Sequence, residues 1–336
     1  MRLLLFGTAL AAFAAPALAD DGVPLSPGEI VASARAEDWV VIPPEDLLVL
    51  DLTADADGKP RRVVIQLIPP PFSQGWVENI RTLAKARWYD GTSVNRVQDN
   101  YVVQWGDADG EDPAKAKALP KGLQRFTERE YTQVFRETYP LDWIMVEPDH
   151  SFFTEKCLYA GAEDENGKFD EEICIEIENW PPASVYSLGF NFAHNSREIW
   201  PVHCYGMVGV GRNLSPDTGT GAELYTVIGH APRHLDRNIA LVGRVIEGIE
   251  HLSSLPRGTG PLGFYETAVE RVPIDSVRLG NEAVGLPAYE YLSTETETFA
   301  RYVDARANRQ DEFFIRPAGG ADICNVPVPV RRKPSL

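Results

Sequence analysis

The chain has 336 residues and a formal net charge of −17 at pH 7. Hydrophobic residues make up 44% of it and aromatic residues 10%, which excludes an intrinsically disordered protein and allows one large domain or two smaller ones. The strongly negative charge argues against binding to nucleic acid or to an anionic membrane surface, because both would be repelled.

The first residues have the pattern of a secretory signal peptide. Arg2 supplies the positive start, residues 3–15 the apolar stretch, and Ala17-Leu18-Ala19 the cleavage site with small residues. A membrane anchor is the alternative, but the apolar stretch is short and ends at Pro16. We therefore expect residues 1–19 to be removed on export, which leaves a periplasmic protein without stable membrane insertion.

The predicted elements after this segment are mostly short strands. Strands are predicted at 47–53, 63–68, 93–103, 205–211, 224–228, 239–245 and 274–279, and helices at 76–86 and 247–255. The 27 glycines and 26 prolines fit an architecture with many turns. This pattern favours a mainly β fold, a closed antiparallel barrel with few helices.

Outside these elements, three local signals are informative. Thr127 with Glu130 predicts the start of a short helix that ends near Tyr139, and Thr294 with Glu297 predicts the start of a final helix. Strand-like runs flank Asn166-Gly167, which predicts a hairpin.

The chain contains four cysteines. An even number in an exported protein allows disulfides, with three possible connectivities. The hairpin at Asn166-Gly167 would place Cys157 opposite Cys174 and leave Cys204 to pair with Cys324. Free, buried thiols are the alternative.

Common catalytic and metal-binding motifs are missing from the sequence. It has no His-Glu-x-x-His and no Gly-x-Ser-x-Gly motif. His230 and His234 have the spacing of a helical metal pair, but Pro232 lies between them. We therefore predict neither a metal nor a cofactor.

The most informative stretch is residues 89–107, YDGTSVNRVQDNYVVQWGD. It is similar to the signature of the cyclophilins, in which a Tyr-Asp-Gly-Thr turn leads to a strand with an aromatic residue, His and Arg. The resemblance continues at 206–211, 219–225, 234–236 and 242–248. It implies a closed, eight-stranded antiparallel barrel capped by two helices, and a peptidyl-prolyl cis-trans isomerase that acts on proline-containing polypeptides.

The reaction that the resemblance implies needs no nucleophile and no cofactor. Resonance holds the prolyl peptide bond planar, and rotation costs about 18–20 kcal/mol. An enzyme has to grip the proline ring in an apolar pocket and offer a donor to the prolyl nitrogen as resonance is lost.

The resemblance implies a role for particular residues. Arg96 matches the catalytic arginine, and Gln104 matches the glutamine that holds the substrate backbone and orients the arginine. The positions that match the substrate-binding surface are Tyr101, Val102, Val208, Gly209, Glu223, Tyr225, His234, Leu235 and Ile239. Of these, Val208 and Gly209 match the segment that pairs with the substrate backbone.

Several positions depart from the family pattern. They are Asn95, Asn100, Trp105, Gly209, Glu223, His234 and Ile239. Glu223 replaces a glutamine, and its carboxylate is able to pair with Arg96 and occupy the catalytic donor. Ile239 replaces a pocket histidine. We expect an active isomerase, with a catalytically weakened cyclophilin-like binding module or chaperone as the alternative.

These features divide the chain into four parts. After the signal peptide we expect a lead-in at 20–46, a cyclophilin-like domain at 47–281 with a long insertion at about 108–202, and a C-terminal helical extension at 282–336. The clients, the purpose of the insertion and the oligomeric state have no signal in the sequence.

Overall fold

The computed structural model describes residues 24–135, 144–146, 153–163, 169–178 and 182–334, with side chains for 24–135 and 182–334. The predicted signal peptide lies outside the described residues. Among those residues, no helix is long and apolar enough to cross a membrane.

Short strands dominate the described residues. In chain order they are β1 (Trp39–Val41), β2 (Leu47–Leu52), β3 (Arg61–Leu67), β4 (Ser93–Val97), β5 (Val102–Gly106), β6 (Gln133–Val134), β7 (Ile144–Val146), β8 (Phe153–Glu163), β9 (Phe169–Glu178), β10 (Ala183–Ser187), β11 (Phe190–His194), β12 (Glu198–Pro201), β13 (Met207–Val210), β14 (Leu224–Val227), β15 (Leu241–Glu247), β16 (Val272–Leu279), β17 (Tyr289–Leu292) and β18 (Val330–Arg332).

The described helices are few and short. The α-helices are α1 (Pro27–Ala32), α2 (Gln74–Lys85), α3 (Glu250–Ser253) and α4 (Glu297–Ala307). Single turns of 3-10 helix lie at Ala36–Asp38, Pro44–Asp46, Glu128–Tyr131, Arg233–Leu235, Pro261–Gly263 and Ile323–Asn325.

Eight of the strands close an antiparallel barrel in the order β13-β14-β5-β4-β16-β2-β3-β15. This confirms the predicted fold class. The one strand predicted at 93–103 is two strands, because the chain reverses at Asn100, whose φ of 51° ends the extended run. The helix predicted at 247–255 is the shorter α3, because Gly248 turns the chain with a φ of 83°.

Helix α2 covers part of the barrel with an apolar face. Trp76, Val77, Ile80 and Leu83 recur at helical spacing, and each side chain is at most 1% exposed. Burying a side chain of this size stabilises the fold by about 1.5–3 kcal/mol. The helix is thereby fixed against strands β15 and β16.

The predicted insertion forms two further sheets. One is five-stranded, in the order β6-β12-β11-β10-β7, and the other is the β8–β9 hairpin. In the hairpin Cys157 lies directly opposite Cys174, as predicted; their side chains and the Asn166-Gly167 turn lie outside the described residues. The five-stranded sheet packs through Phe192 on the segment between β3 and α2, where the ring centres of Phe192 and Phe72 are 4.3 Å apart.

Two predicted helix boundaries are wrong. The capping box of Thr127 and Glu130 is present, but it starts a single turn that ends at Tyr131, because the next residue is already extended. Helix α4 is capped by Thr296 and not by Thr294. The Thr296 hydroxyl accepts from the Phe299 amide at 3.2 Å, because the cap is the residue directly before the first helical turn.

The C-terminal segment returns to the barrel and is anchored there. β17 pairs with both β1 and β18 in a separate three-stranded sheet. Residues 322–330, which we call the C-terminal strap, are tied to the barrel by a disulfide between Cys204 and Cys324, which confirms that predicted pair. The Asn191 amide also donates to the carbonyls of Ile323 and Val326, at 2.8 and 3.1 Å.

Candidate active site

Arg96 lies in β4, directly opposite Gln104 of β5, and is half-buried. Its guanidinium makes three hydrogen bonds to neutral oxygens. Nε donates to the Leu262 carbonyl at 2.8 Å, Nη1 donates to Gln104 Oε1 at 3.0 Å, and Nη2 donates to Gln98 Oε1. These bonds fix the plane of the guanidinium.

Two aromatic rings complete the surroundings of Arg96. The guanidinium carbon lies 5.6 Å from the ring centre of Tyr101 and 5.2 Å from that of Phe264. At these distances the negative faces of the rings attract the cation. Burial lowers the pKa of Arg96 from its ordinary value, and the neighbouring Tyr101 and Glu223 oppose the shift.

The loop that supplies Leu262 and Phe264 was missed at the level of sequence. Leu262 acts through its backbone carbonyl, which carries no side-chain signature. The available signal was the cluster of glycines at 258, 260 and 263, just before β16. Gly263 has a φ of 78° and packs on the backbone of Gln98, where a Cβ would lie 2.6 Å from Cα. The loop therefore approaches β4 closely enough to reach Arg96.

Glu223 does not form an ion pair with Arg96 within the part of the chain that the structure describes. Its Oε1 accepts instead from the Gln104 amide, so the glutamine links the carboxylate to the arginine. Burial raises the pKa of Glu223, against the effect of the Gln104 hydrogen bond. The pairing of Glu223 with Arg96 that the sequence allowed is thus replaced by a chain through Gln104.

A small apolar cluster lies beside these groups. Val102, Tyr225 and Val227 are buried together, with the partly buried Tyr101 and Ile239 packed against them. This groups four of the predicted pocket residues, of which Val102 and Tyr225 lie on β5 and β14, the strand pair that also carries Gln104.

Two further predicted residues lie on the 3-10 turn Arg233–Leu235. The His234 ring stacks on Tyr101 with 6.3 Å between ring centres and 11° between planes. Leu235 is half-buried and does not belong to the apolar cluster.

Strand β13 carries the last two predicted residues. Val208 is 1% exposed and belongs to the main core. Gly209 lies against Tyr225, where a Cβ would come within 2.3 Å of the phenol oxygen. The absence of a side chain at this position therefore leaves room for the tyrosine ring. β13 is paired with β14 and β15 and shifts register between Val208 and Gly209.

Beneath the cluster lies a buried polar chain that sequence reasoning missed. His203 Nε2 is 2.7 Å from the Tyr225 hydroxyl, and Nδ1 is 2.9 Å from Asp236 Oδ1. Asp236 also accepts from the Arg233 Nε at 2.6 Å. Burial lowers the pKa of His203 despite the neighbouring carboxylate. The chain fixes the hydroxyl end of the Tyr225 ring, and no sequence signal joins residues so far apart.

A cavity of about 240 Å³ adjoins the site on the side of Glu223. It lies between the segment at 107–119 and the loop at 211–222. Charges of both signs line it, from Glu111, Lys117 and Arg212. Among the described residues, no group of three or more His, Cys, Asp or Glu side chains is placed to hold a metal ion.

Comparison with known proteins agrees with this architecture. The family model described as cyclophilin type peptidyl-prolyl cis-trans isomerase/CLD matches residues 62–279, which is more than half of the chain. No curated protein sequence matches.

Among solved structures, the chain is similar in fold to the cyclophilin AquaCyp293 from Hirschia baltica. The two share 19% sequence identity with a TM-score of 0.57, over 88% of this chain and 95% of that chain. A cyclophilin type isomerase from Cryptosporidium parvum aligns at 11% identity with a TM-score of 0.37, over 69% of this chain and 97% of that chain.

Proposed function

Because the chain belongs to the family of cyclophilin-type peptidyl-prolyl cis-trans isomerases, we propose that it isomerises prolyl bonds of exported proteins and that Arg96 is the catalytic residue. The observation that carries this proposal is the fixed guanidinium beside an apolar cluster. A guanidinium has five N–H donors. Three of those of Arg96 are occupied by protein oxygens, so one N–H on each terminal nitrogen has no partner among the described residues.

The free N–H groups suit the twisted state of a prolyl bond. In the planar amide the nitrogen lone pair is delocalised and accepts no hydrogen bond. As the bond twists, the lone pair localises, and a donor placed there binds more strongly than in the ground state. Each ~1.4 kcal/mol of such preferential binding raises the rate about tenfold. Arg96 pays no reorientation cost in this step, because its plane is already fixed.

The apolar cluster would hold the proline ring. Tyr101 contacts both the cluster and Arg96, so a ring that is bound there lies next to the guanidinium. Gln104 positions Arg96 and is itself held by Glu223. The adjoining cavity of about 240 Å³ would accommodate residues that flank the proline.

A chromogenic prolyl peptide tests this mechanism directly. The wild-type protein is expected to accelerate isomerisation, and Arg96→Lys is expected to lose most of the acceleration, because an ammonium lacks the planar set of donors. Arg61→Lys, on β3 and separated from β4 by two strands of the barrel, is the matched control. Equal rates for the wild-type protein and Arg96→Lys would contradict the role of Arg96.

A second candidate, a weakened binding module, is favoured by Ile239. It packs against the apolar cluster at a position where the family has a histidine, so it offers no polar group there. The double substitution Glu223→Gln and Ile239→His tests this candidate. A sharp rise in activity over the wild-type protein would favour the weakened binding module. An unchanged or lower rate would favour an active isomerase.

Action on exported proteins in the periplasm is supported by two features. Residues 1–19 have the pattern of a cleavable signal, and the Cys204–Cys324 disulfide suits an oxidising compartment. Fractionation of a producing cell with N-terminal sequencing tests the proposal. Mature protein that begins at Asp20 in the periplasmic fraction is expected; full-length protein in the cytoplasm would contradict it.

A further inference from the structure

A second cavity, of about 440 Å³, lies between the barrel and the C-terminal strap. Its walls come from β13, β15, Asn191 of β11, helix α4 and the strap, and the Cys204–Cys324 disulfide is one of them. Tyr205, which is 51% exposed, lines it too, so the cavity reaches the surface. None of its lining residues belongs to the candidate active site.

The floor of this cavity contains a buried arginine. Arg244 of β15 is 9% exposed. Its Nε donates to Gln66 Oε1 at 2.9 Å, its Nη1 donates to the Val328 carbonyl at 3.2 Å, and its guanidinium lies 4.9 Å from the ring centre of Phe190. Every one of these neighbours is uncharged. Burial lowers the pKa of Arg244 to about 9, so it remains a cation at neutral pH.

The charge of Arg244 is not balanced by the residues that the structure describes. No carboxylate pairs with it there, and its Nη2 group makes no hydrogen bond. Buried charges in folded proteins are normally paired, because removing an ion from water is costly. An unpaired buried cation at the wall of an open cavity therefore points to an anion that comes from outside the chain.

A second arginine lines the same cavity. Arg306 of α4 is half-buried, and its Nε donates to the Asn325 carbonyl at 2.8 Å. Among the residues with described side chains, no acidic residue lines the cavity. This is unusual in a chain with 49 acidic and 32 basic residues, so the cavity is a local region of positive charge on an acidic protein.

The rest of the lining is largely apolar. The apolar residues are Met207, Val245, Ile246, Pro327, Val328 and Val330. A fully hydrated ion such as inorganic phosphate would gain nothing from these walls. An organic anion would neutralise the arginines with one end and bury apolar surface with the other.

We propose that this cavity binds an organic carboxylate with an apolar body, and that Arg244 and Arg306 hold its carboxylate group. The planar guanidinium matches a carboxylate in shape and hydrogen-bonding geometry. Two sources share this chemistry, namely a free amphiphilic acid and the C-terminal carboxylate of a peptide with an apolar last residue. The site is separate from the proposed isomerase chemistry and does not depend on it.

Isothermal titration calorimetry of the full mature chain tests the proposal with paired probes. Octanoate represents the free acid and N-acetyl-alanyl-leucine the peptide terminus; octanamide and the peptide amide are their uncharged counterparts. Binding of either acid with no binding of its amide is expected, and the better acid identifies the source. Equal binding of an acid and its amide, binding of inorganic phosphate alone, or no binding of either acid would overturn the proposal.

Substitutions in the cavity locate the binding. Arg306→Gln changes a half-buried side chain of α4, and Arg244→Gln changes the buried side chain in the floor of the cavity. Each is expected to weaken binding of the preferred acid about tenfold, as for the loss of one charge-assisted hydrogen bond. Arg301→Gln, exposed on the same helix as Arg306, is the matched control and should bind like the wild-type protein. If Arg244→Gln does not fold, undiminished binding by Arg306→Gln alone rejects the site.

Discussion

Arg96 and Arg244 are each held by a glutamine and a backbone carbonyl, an arrangement that we call the clamp. Arg96 donates to Gln104 and to a backbone carbonyl, and Arg244 donates to Gln66 and to another backbone carbonyl. Each lies near an aromatic ring, and neither has a carboxylate partner within the part of the chain with described side chains. Both glutamines lie opposite their arginines on a neighbouring strand.

What differs is the space around the clamp. Arg96 is half-buried beside the apolar cluster, and the carboxylate of Glu223 is two hydrogen bonds away, through Gln104. Arg244 is almost fully enclosed, and no carboxylate of the described residues bonds to its partner Gln66. We therefore propose two uses for the same clamp: around Arg96 it leaves N–H donors for a twisting amide, and around Arg244 it leaves a charge for a bound anion.

Removing each of the two arginines in turn is the strongest test of this comparison. Arg96→Ala is expected to lower kcat/KM for a prolyl peptide by about 10²–10³-fold, the range for removing one transition-state donor. Arg244→Gln is expected to leave kcat/KM unchanged, because it contacts none of the active-site residues. A loss of activity in both variants, with intact melting curves, would show that the two regions are not independent.

Removing the Cys204–Cys324 disulfide tests how far the C-terminal strap depends on this covalent link to the barrel. The two cysteines are 120 residues apart in sequence. Cys204→Ser with Cys324→Ser is expected to lower the free energy of unfolding by about 2–4 kcal/mol, because the unfolded chain gains freedom. Urea unfolding under non-reducing conditions measures this loss. An unchanged urea midpoint would mean that the strap is held without the disulfide.

Tyr225→Phe tests the contact between the candidate active site and the cavity beneath the C-terminal strap. The Tyr225 hydroxyl is hydrogen-bonded to His203. His203 directly precedes Cys204, which lines that cavity. The variant leaves a nitrogen of fully buried His203 without its partner, so we expect a loss of about 1–3 kcal/mol in the free energy of unfolding. Tyr205→Phe, on an exposed ring, should change nothing. Equal urea midpoints for the two variants would exclude a structural role of the hydroxyl.

Glu223→Gln is expected to have the smallest effect, and the size of that effect depends on pH. Burial raises the pKa of Glu223 above the ordinary value of 4.5, so the unfolded chain releases this proton at a lower pH than the folded one. The wild-type protein therefore loses stability as the pH rises through that range. Thermal melting should show the variant to be more stable at pH 7, with the difference vanishing below pH 4. A constant difference at all pH values would contradict this.

The sequence was most informative where the fold depends on local patterns. The strands around the barrel follow from short runs of apolar residues that are bounded by turns. Arg96, Tyr101 and Gln104 come from one hairpin, so a single motif identified them together. The strand boundary at Asn100 was missed, because the turn there has a positive φ on a residue that is not glycine.

What the sequence could not show are contacts between distant segments. An arginine in a strand, such as Arg244, is ordinarily exposed, and it is buried here beneath both the strap and Phe190 of β11. The link from Tyr225 through His203 to Asp236 spans three separate elements, and the Leu262 carbonyl has no side-chain signal. These groups are brought together by the closed barrel and not by spacing in the chain.

The closure of the barrel also limits how the molecule can be shortened. β2, Leu47–Leu52, pairs with β3 on one side and with β16 on the other, yet it lies before residue 62, where the family match begins. A fragment of residues 62–279 would lack β2 and would expose the edges of β3 and β16, each able to pair with another molecule. Such a fragment should associate with itself, so the minimal soluble unit has to begin ahead of Leu47.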